Sequence, residues 1–150
     1  MNLDYVTVDT GKTWTLSSAG GTTFVRTQRA SLPAVRVLGH LSVLGDTIIK
    51  ADGGGAIDVA PFATLDMHGR VTSYRDDTIG GDTNGDATET QPAPGDYGVA
   101  INMATAASVS VDGAWLSYAT KAIDVPYGTP ATVSSSTFSY NESAVTKSGA

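Results

Sequence analysis

The chain has 150 residues, which suits one domain, and its 41% apolar content is enough to bury a core. Nine Lys and Arg against 15 Asp and Glu give a net charge of −6 without a basic cluster, which argues against nucleic acid and anionic membrane surfaces as partners. There is no cysteine, which excludes disulfides and thiolate metal sites, and no apolar run approaches the roughly 18 residues of a membrane-spanning helix.

Residues 1–33 are the least regular part of the chain. Short segments at residues 5–8, 14–16 and 23–25 are rich in the β-branched and aromatic residues typical of strands. The first residues lack the basic start and apolar run of a signal peptide, so we expect any export signal to lie outside this chain. We interpret residues 1–33 as one or two opening coils of a repeating β fold.

From residue 34 onward, one pattern recurs at intervals of 22 residues. An Ala followed by an aliphatic residue marks each repeat, and one interval of 44 residues spans two periods. The pairs are Ala34-Val35, Ala56-Ile57, Ala100-Ile101, Ala122-Ile123 and Ala144-Val145. In the first four repeats another apolar residue follows two positions later, which predicts a short strand with one buried face.

Further positions keep the same phase. The position nine residues after the Ala holds Val43, Leu65, Val109 and Ala131. The position sixteen residues after it holds Lys50, Thr72, Leu116 and Phe138. Two residues later stand three tyrosines that we expect to be aligned, Tyr74, Tyr118 and Tyr140. Gly, Pro, Asn and Asp separate these positions, so each repeat is predicted to contain three short strands joined by corners.

This pattern predicts an all-β fold, a single-stranded right-handed parallel β-helix (solenoid) with about 22 residues per coil. Stacked coils place aliphatic side chains on one another at about 4.8 Å, which buries faces that single short strands cannot bury. We assign residues 34–75 and 98–150 to the coils and residues 76–97, here called the acidic loop, to an insertion. A β-sandwich also has short strands, but its hairpins show no fixed phase. Neither end shows a cap, so we expect a fragment of a longer protein or association of subunits through the solenoid ends.

Two segments resemble a known family. Residues 72–86 read TSYRDDTIGGDTNGD, and residues 92–101 read PAPGDYGVAI. Together they resemble a recurring element of large bacterial secreted and cell-surface proteins with right-handed parallel β-helix repeats, in which a DDxxGGDTNGD loop follows a third strand. The resemblance covers roughly residues 35–140, although Tyr97-Gly98-Val99 departs from the usual aromatic-Gly-Gly. It implies a β-helix, export and an extracellular or cell-surface location, and it implies no established reaction.

The acidic loop is the most concentrated set of metal-ligand residues. Oxygen-bearing side chains stand at alternate positions, in the manner of the start of an EF-hand-like calcium loop. The predicted Ca²⁺ ligands are Asp82, Asn84, Asp86, Thr88, Asp76 and Asp77. Ala87 stands where such loops have Gly, and Ala93 stands where they have a bidentate acid. The alternative is a solvated loop whose Asp and Asn side chains bond nearby backbone amides.

Aromatic side chains suggest a ligand surface. Trp115 is next to Leu116, which the repeat places in the core, so strand alternation predicts that Trp115 points outward. There it would contact a glycan or a protein partner, unless the acidic loop covers it. The three aligned tyrosines are either internal packing or part of the same surface.

Two arginines stand close to the acidic loop. β-Helix polysaccharide lyases use an Arg or Lys base beside acid-bound calcium, which makes Arg70 and Arg75 candidate ligand-binding residues. A hydrolase would need two carboxylates flanking the bond, for which Asp76, Asp77 and Asp96 are available. The simpler interpretation makes Arg70 a solvated strand residue and Arg75 a counter-ion for Asp76 or Asp77.

The sequence therefore favours a structural or adhesive β-solenoid module of an extracellular or cell-surface bacterial protein, stabilised by Ca²⁺. Expected partners are a glycan or a protein at the cell surface, with neither nucleic acid nor membrane insertion. The alternative function is a carbohydrate-binding or polysaccharide-degrading domain.

Overall fold

The structure, a computed structural model, describes residues 5–18 and 31–149. Within these residues the protein is all-β, with fifteen strands and no helix. No helix among them is therefore long and apolar enough to cross a membrane. The strand expected at residues 23–25 lies outside the described residues.

The strands, numbered in chain order, form three sheets. The first sheet contains, in spatial order, β1 (Val6–Val8), β3 (Val35–Val37), β6 (Ile57–Val59), β9 (Tyr97–Met103), β12 (Ala119–Pro126) and β15 (Ser143–Ser148). The second contains β2 (Thr13–Leu16), β4 (His40–Val43), β7 (Thr64–Met67), β10 (Ser108–Asp112) and β13 (Ala131–Ser134). The third contains β5 (Ile48–Ala51), β8 (Arg70–Ser73), β11 (Trp115–Ser117) and β14 (Thr137–Ser139).

Neighbouring strands in all three sheets are parallel. From β3 onward the chain visits the first, second and third sheet in turn, so successive strands never pair with each other. Parallel neighbours cannot be joined by a tight hairpin, so the chain passes through the other two sheets before it returns to the first. On each return it adds one strand next to the previous one. The inward side chains of the three sheets meet in one apolar core.

The repeat predicted from the Ala-aliphatic pairs is confirmed in the first sheet. The aliphatic residues are direct register partners along one row, Val35, Ile57, Ile101, Ile123 and Val145. The first four are fully buried, whereas Val145, on the outermost strand of the sheet, is 49% exposed. The partners Ile57 and Ile101 are 44 residues apart, so the acidic loop occupies the place of one repeat.

The predicted alignment in the other two sheets is wrong at specific strands. In the second sheet Leu41, not Val43, is the partner of Leu65. A shift of two residues keeps the same face inward, so the core is unchanged. In the third sheet Leu116 is paired with Val71 rather than with Thr72, a shift of one residue that exchanges inward and outward positions. The corners between strands vary in length, and a fixed period of 22 residues cannot detect this variation.

The same shift breaks the predicted row of three tyrosines. Tyr118 and Tyr140 are stacked, with ring centroids 5.2 Å apart and ring planes within 7°. Tyr74 stands one residue out of phase with them, and its hydroxyl donates a hydrogen bond to the main-chain oxygen of Thr83 at 2.7 Å. The row therefore contains two rings, and Tyr74 supports the acidic loop instead.

Candidate functional site: an acidic loop and the groove beside it

The acidic loop lies over polar residues of the third sheet. Strand alternation turns Lys50, Thr72 and Ser117 away from the core, yet all three are buried. The Thr72 hydroxyl donates to Asp76 Oδ2 at 2.6 Å, and the Ser117 hydroxyl donates to Thr72 Oγ1 at 3.1 Å. A polar row on the sheet therefore fixes the start of the loop.

Lys50 is a second link between the sheet and the loop. Only 1% of this residue is exposed, and its Nζ donates to the main-chain oxygens of Asp76 at 2.7 Å and Gly81 at 2.6 Å. Burial lowers the pKa of the Lys50 ammonium, and the nearby carboxylates of Asp76, Asp77 and Asp82 oppose that shift. The sequence interpretation missed this role because it placed position 50 in the inward row. The sequence does contain a signal for this role, a lysine within an otherwise apolar strand, because a lysine that is buried there needs a polar partner.

Three carboxylates of the predicted calcium site meet in the loop. Asp77, Asp82 and Asp86 each contribute one oxygen to a cluster in which these atoms lie within 4.8 Å of one another. Gly80 and Gly81, between Asp77 and Asp82, both have positive φ angles, of 74° and 77°, in the left-handed conformation that glycine adopts readily. The chain can turn there and bring Asp77 towards Asp82.

Backbone amides hold two of the three carboxylates in place. Asp82 Oδ1 accepts a hydrogen bond from the N–H of Gly85 at 2.6 Å, and its Oδ2 accepts one from Ala87 at 2.9 Å. Asp86 accepts from the N–H of Thr88 and of Thr90, both at 3.1 Å. Hydrogen bonds to Thr90 and to nearby amides lower the pKa of Asp86. The acids that cluster therefore also bond nearby backbone amides, as the alternative interpretation of the loop expects, and calcium binding stays a prediction.

Asp77 differs from the other two acids. Both of its carboxylate oxygens expose less than 1 Å² and have no hydrogen-bond partner among the described residues. Burial raises the pKa of Asp77, and the charges of Asp82 and Asp86 raise it further. The side-chain oxygens of Thr83 and Asn84 are also buried without partners among the described residues. The nearby ammonium of Lys50 reduces the repulsion between the three carboxylates in part, and a proton or a cation would reduce it further.

Of the other predicted ligands, Asp76 and Thr88 have structural roles, and Asn84 lies beside the cluster. The carboxylate of Asp76 accepts hydrogen bonds from Thr72 and from the Thr78 amide and hydroxyl, so it fixes the loop to the sheet. Thr88 contributes its main-chain N–H to Asp86. Asn84 lies at the cluster, and its Nδ2 donates to Asp86 Oδ2 at 2.8 Å.

The expected counter-ion role of Arg75 is found, but with another acid. Its guanidinium contacts Asp96 Oδ1 at 2.9 Å rather than Asp76 or Asp77. The second oxygen of Asp96 accepts from the Ser73 hydroxyl at 2.6 Å and from the Ala93 N–H at 3.1 Å. Asp96 therefore closes the loop against the end of β8, and its carboxylate is already occupied by structural hydrogen bonds.

A groove of about 310 Å³ lies beside the loop, and we call it the aromatic groove. Its lining includes Arg70, Thr78, Trp115, Tyr118, Ser139 and Tyr140. The prediction that Trp115 points outward is confirmed, since 37% of it is exposed while Leu116 is fully buried. The Arg70 guanidinium carbon lies 5.3 Å from the Trp115 ring centroid, and Trp115 Nε1 donates to Ser139 Oγ at 2.8 Å.

Comparison with known proteins found no matching family, curated protein or solved structure. Function is therefore inferred from the geometry of the acidic loop and of the aromatic groove.

Proposed function

We propose that this chain is a right-handed parallel β-helix that serves as a rigid structural or adhesive module of an extracellular or cell-surface protein. The observation that carries the proposal is the register of the first sheet, where β3, β6, β9, β12 and β15 place equivalent aliphatic residues side by side. Each coil is stabilised by its neighbours, so the parallel sheets resist bending and present long outer faces. An acidic chain with few charged residues and a polar surface loop suits an exported module, as does the resemblance to bacterial surface proteins.

We further propose that the acidic loop binds Ca²⁺ through Asp77, Asp82 and Asp86. Calcium takes oxygen ligands at about 2.3–2.6 Å, so two ligands of one ion lie at most about 5 Å apart. The clustered oxygens lie within 4.8 Å of one another, which meets this limit. The buried Asp77 oxygens have no protein partner among the described residues, and a cation would supply one. The unpartnered Asn84 Oδ1 is a fourth candidate ligand.

Calcium binding is tested by isothermal titration of the whole chain with CaCl₂, with the Asp77→Asn variant in parallel. Wild type should bind one ion, and Asp77→Asn should bind it much more weakly because the neutral amide carries no charge. The matched control is Asp9→Asn, which changes an exposed acid far along the chain from the loop. Equal binding by all three proteins, or binding by none, would overturn the calcium proposal.

The location of the module is tested on intact cells of the source organism with an antibody raised against the purified chain. Labelling of intact cells or of the culture medium is the result we expect. Labelling that appears only after lysis would contradict an extracellular or cell-surface role, whatever the loop binds.

A further inference from the structure

One asparagine of the acidic loop differs from the others in the residue that follows it. Asn84 precedes Gly85, whereas the asparagines at positions 2, 102 and 141 precede Leu, Met and Glu. The main-chain nitrogen of a following glycine reaches the side-chain carbon of an asparagine most easily, because glycine has no Cβ and allows more backbone conformations. Asn84 is therefore the asparagine of this chain at which such a ring closure meets the least steric opposition.

The surroundings of Gly85 leave room for this reaction. Gly85 is exposed, and a Cβ built on it would have no other atom within 4 Å, so there is space for a ring and for water beside it. The N–H of Gly85 donates to Asp82 Oδ1 at 2.6 Å. The loop thus supplies open space and a proton acceptor at the nitrogen that would attack.

The side-chain amide of Asn84 lies against the acids of the loop. Its Nδ2 donates to Asp86 Oδ2 at 2.8 Å and to Thr90 Oγ1 at 3.0 Å, while Oδ1 is buried without a partner among the described residues. The amide of Asn141, in contrast, is fixed at both ends by main-chain groups at 2.9 Å. A negative charge created at Asn84 would therefore join the carboxylate cluster of the loop.

We propose that Asn84 is a site of spontaneous deamidation in the folded protein. The Gly85 nitrogen attacks Asn84 Cγ and gives its proton to Asp82, the new C–N bond closes a cyclic imide, and Nδ2 leaves with that proton as ammonia. Water then opens the imide at either carbonyl, which gives aspartate or isoaspartate at position 84. Water is the only co-reactant, and each product adds one negative charge to the acidic loop.

Deamidation is tested by incubating the folded whole chain in EDTA at mildly alkaline pH and body temperature, with mass spectrometry of its peptides over several days. The mass increase for replacement of an amide NH₂ by OH should accumulate at Asn84, and in heavy-oxygen water the product should carry the label. Asn102 and Asn141 are internal controls and should stay unchanged. Equal conversion or no conversion at the three positions, or conversion at Asn84 only after unfolding in urea, would overturn the proposal.

The role of Asp82 has its own test. Asp82→Ala removes the proton acceptor and should slow deamidation of Asn84 by about tenfold or more, since a positioned base speeds proton transfer by roughly 100-fold or more. Circular dichroism shows whether the variant is folded. An unchanged or faster reaction in the folded variant would show that Asp82 does not take the proton.

The added charge should also regulate the calcium site, a consequence that rests on the calcium proposal made above. The variant Asn84→Asp imitates the aspartate product and should bind Ca²⁺ about tenfold more tightly than wild type, because a fourth carboxylate attracts the cation. The matched control is Gln91→Glu, which adds the same charge at an exposed side chain of the acidic loop.

Titration of the three proteins with CaCl₂ separates the two proposals. Tighter binding by Asn84→Asp than by wild type and Gln91→Glu is the expected result. Equal binding by all three would overturn the regulation. Absence of binding by all three would contradict the calcium proposal alone, because the mass spectra decide the deamidation independently.

Discussion

The ammonium of Lys50 lies beneath the acidic loop and donates a hydrogen bond to the main-chain oxygen of Asp76 at 2.7 Å. This bond joins β5 to the loop that follows β8, the neighbouring strand of the same sheet, 26 residues later. Lys50 also places a positive charge near the carboxylates of Asp77 and Asp82. The loop is therefore attached to the outer face of the third sheet by a buried charge as well as by its covalent ends.

Replacing Lys50 should loosen that attachment. Lys50→Met keeps the length of the side chain but removes the donor to the buried main-chain oxygen of Asp76 and to the partly buried oxygen of Gly81, a loss of about 1–3 kcal/mol of unfolding free energy. Urea denaturation measures the change, and limited proteolysis should show earlier cleavage within residues 76–97. The control Lys147→Ala, at an exposed lysine, should change stability by less than about 0.5 kcal/mol. Equal effects of the two changes would contradict the buried role of Lys50.

We expect the ionised carboxylate of Asp77 to destabilise the fold when calcium is absent and to stabilise it when calcium is bound. Its folded-state pKa is raised above the ordinary 3.8, so without calcium its contribution is most favourable when protonated and is lost as pH rises through that raised pKa. In EDTA at pH 7 the Asp77→Asn variant should therefore be at least as stable as wild type, and this advantage should fade as pH falls towards 3.8. With saturating CaCl₂ wild type should be more stable than Asp77→Asn. Thermal unfolding across pH measures both, and an unchanged order would contradict a cation role for Asp77.

Replacement by Ala along the aliphatic row of the first sheet should cost more stability where the side chain is more deeply buried. Ile101 is fully buried between Ile57 and Ile123, so Ile101→Ala should cost about 2–5 kcal/mol of unfolding free energy. Val145 occupies the same row but is 49% exposed, and Val145→Ala should cost less than about 1 kcal/mol. Urea denaturation of the two variants provides the comparison, and equal costs would contradict the burial pattern.

The return from the acidic loop into β9 requires a glycine. A Cβ on Gly98 would lie 2.7 Å from the main-chain oxygen of Gly54, so Gly98→Ala should destabilise the fold by about 1–3 kcal/mol through overpacking. At Gly45 the nearest atom to an added Cβ is 3.6 Å away, so Gly45→Ala should be neutral or slightly stabilising. The two melting temperatures, measured side by side, test the close approach of these coils, and a neutral Gly98→Ala would refute it.

How much of the fold the sequence predicted depended on the sheet. In the first sheet each strand carries the same Ala-aliphatic pair, so Val35 and Ile57 were aligned correctly. In the third sheet the number of residues between strands varies by one. The partner of Leu116 is therefore Val71 and not Thr72, which the fixed spacing predicted. No local pattern records such a change, because both residues suit a strand.

The candidate site was predicted in part for a similar reason. Alternate oxygen-bearing residues marked Asp82 and Asp86, which one tight turn brings together. The approach of Asp77 depends on the backbone conformation at Gly80 and Gly81, and the burial of Lys50 depends on how the loop packs on the sheet. Packing of this kind follows from tertiary structure and not from spacing along the chain.

The central claim is that the acidic loop is an insertion, so that residues 44 apart lie side by side in neighbouring coils. The chain has no cysteine, which allows a direct test by cross-linking. Asp58 and Asn102 are register partners on the outer face of the first sheet, at the spacing of about 4.8 Å between neighbouring strands, which suits a disulfide. The double variant Asp58→Cys, Asn102→Cys should form an intramolecular disulfide on mild oxidation. The pair Asp58→Cys, Asp124→Cys, separated by β9 and thus by about 9.6 Å, should not. Failure of the first pair to cross-link, or equally ready cross-linking of the second, would contradict the stacking of coils across the acidic loop.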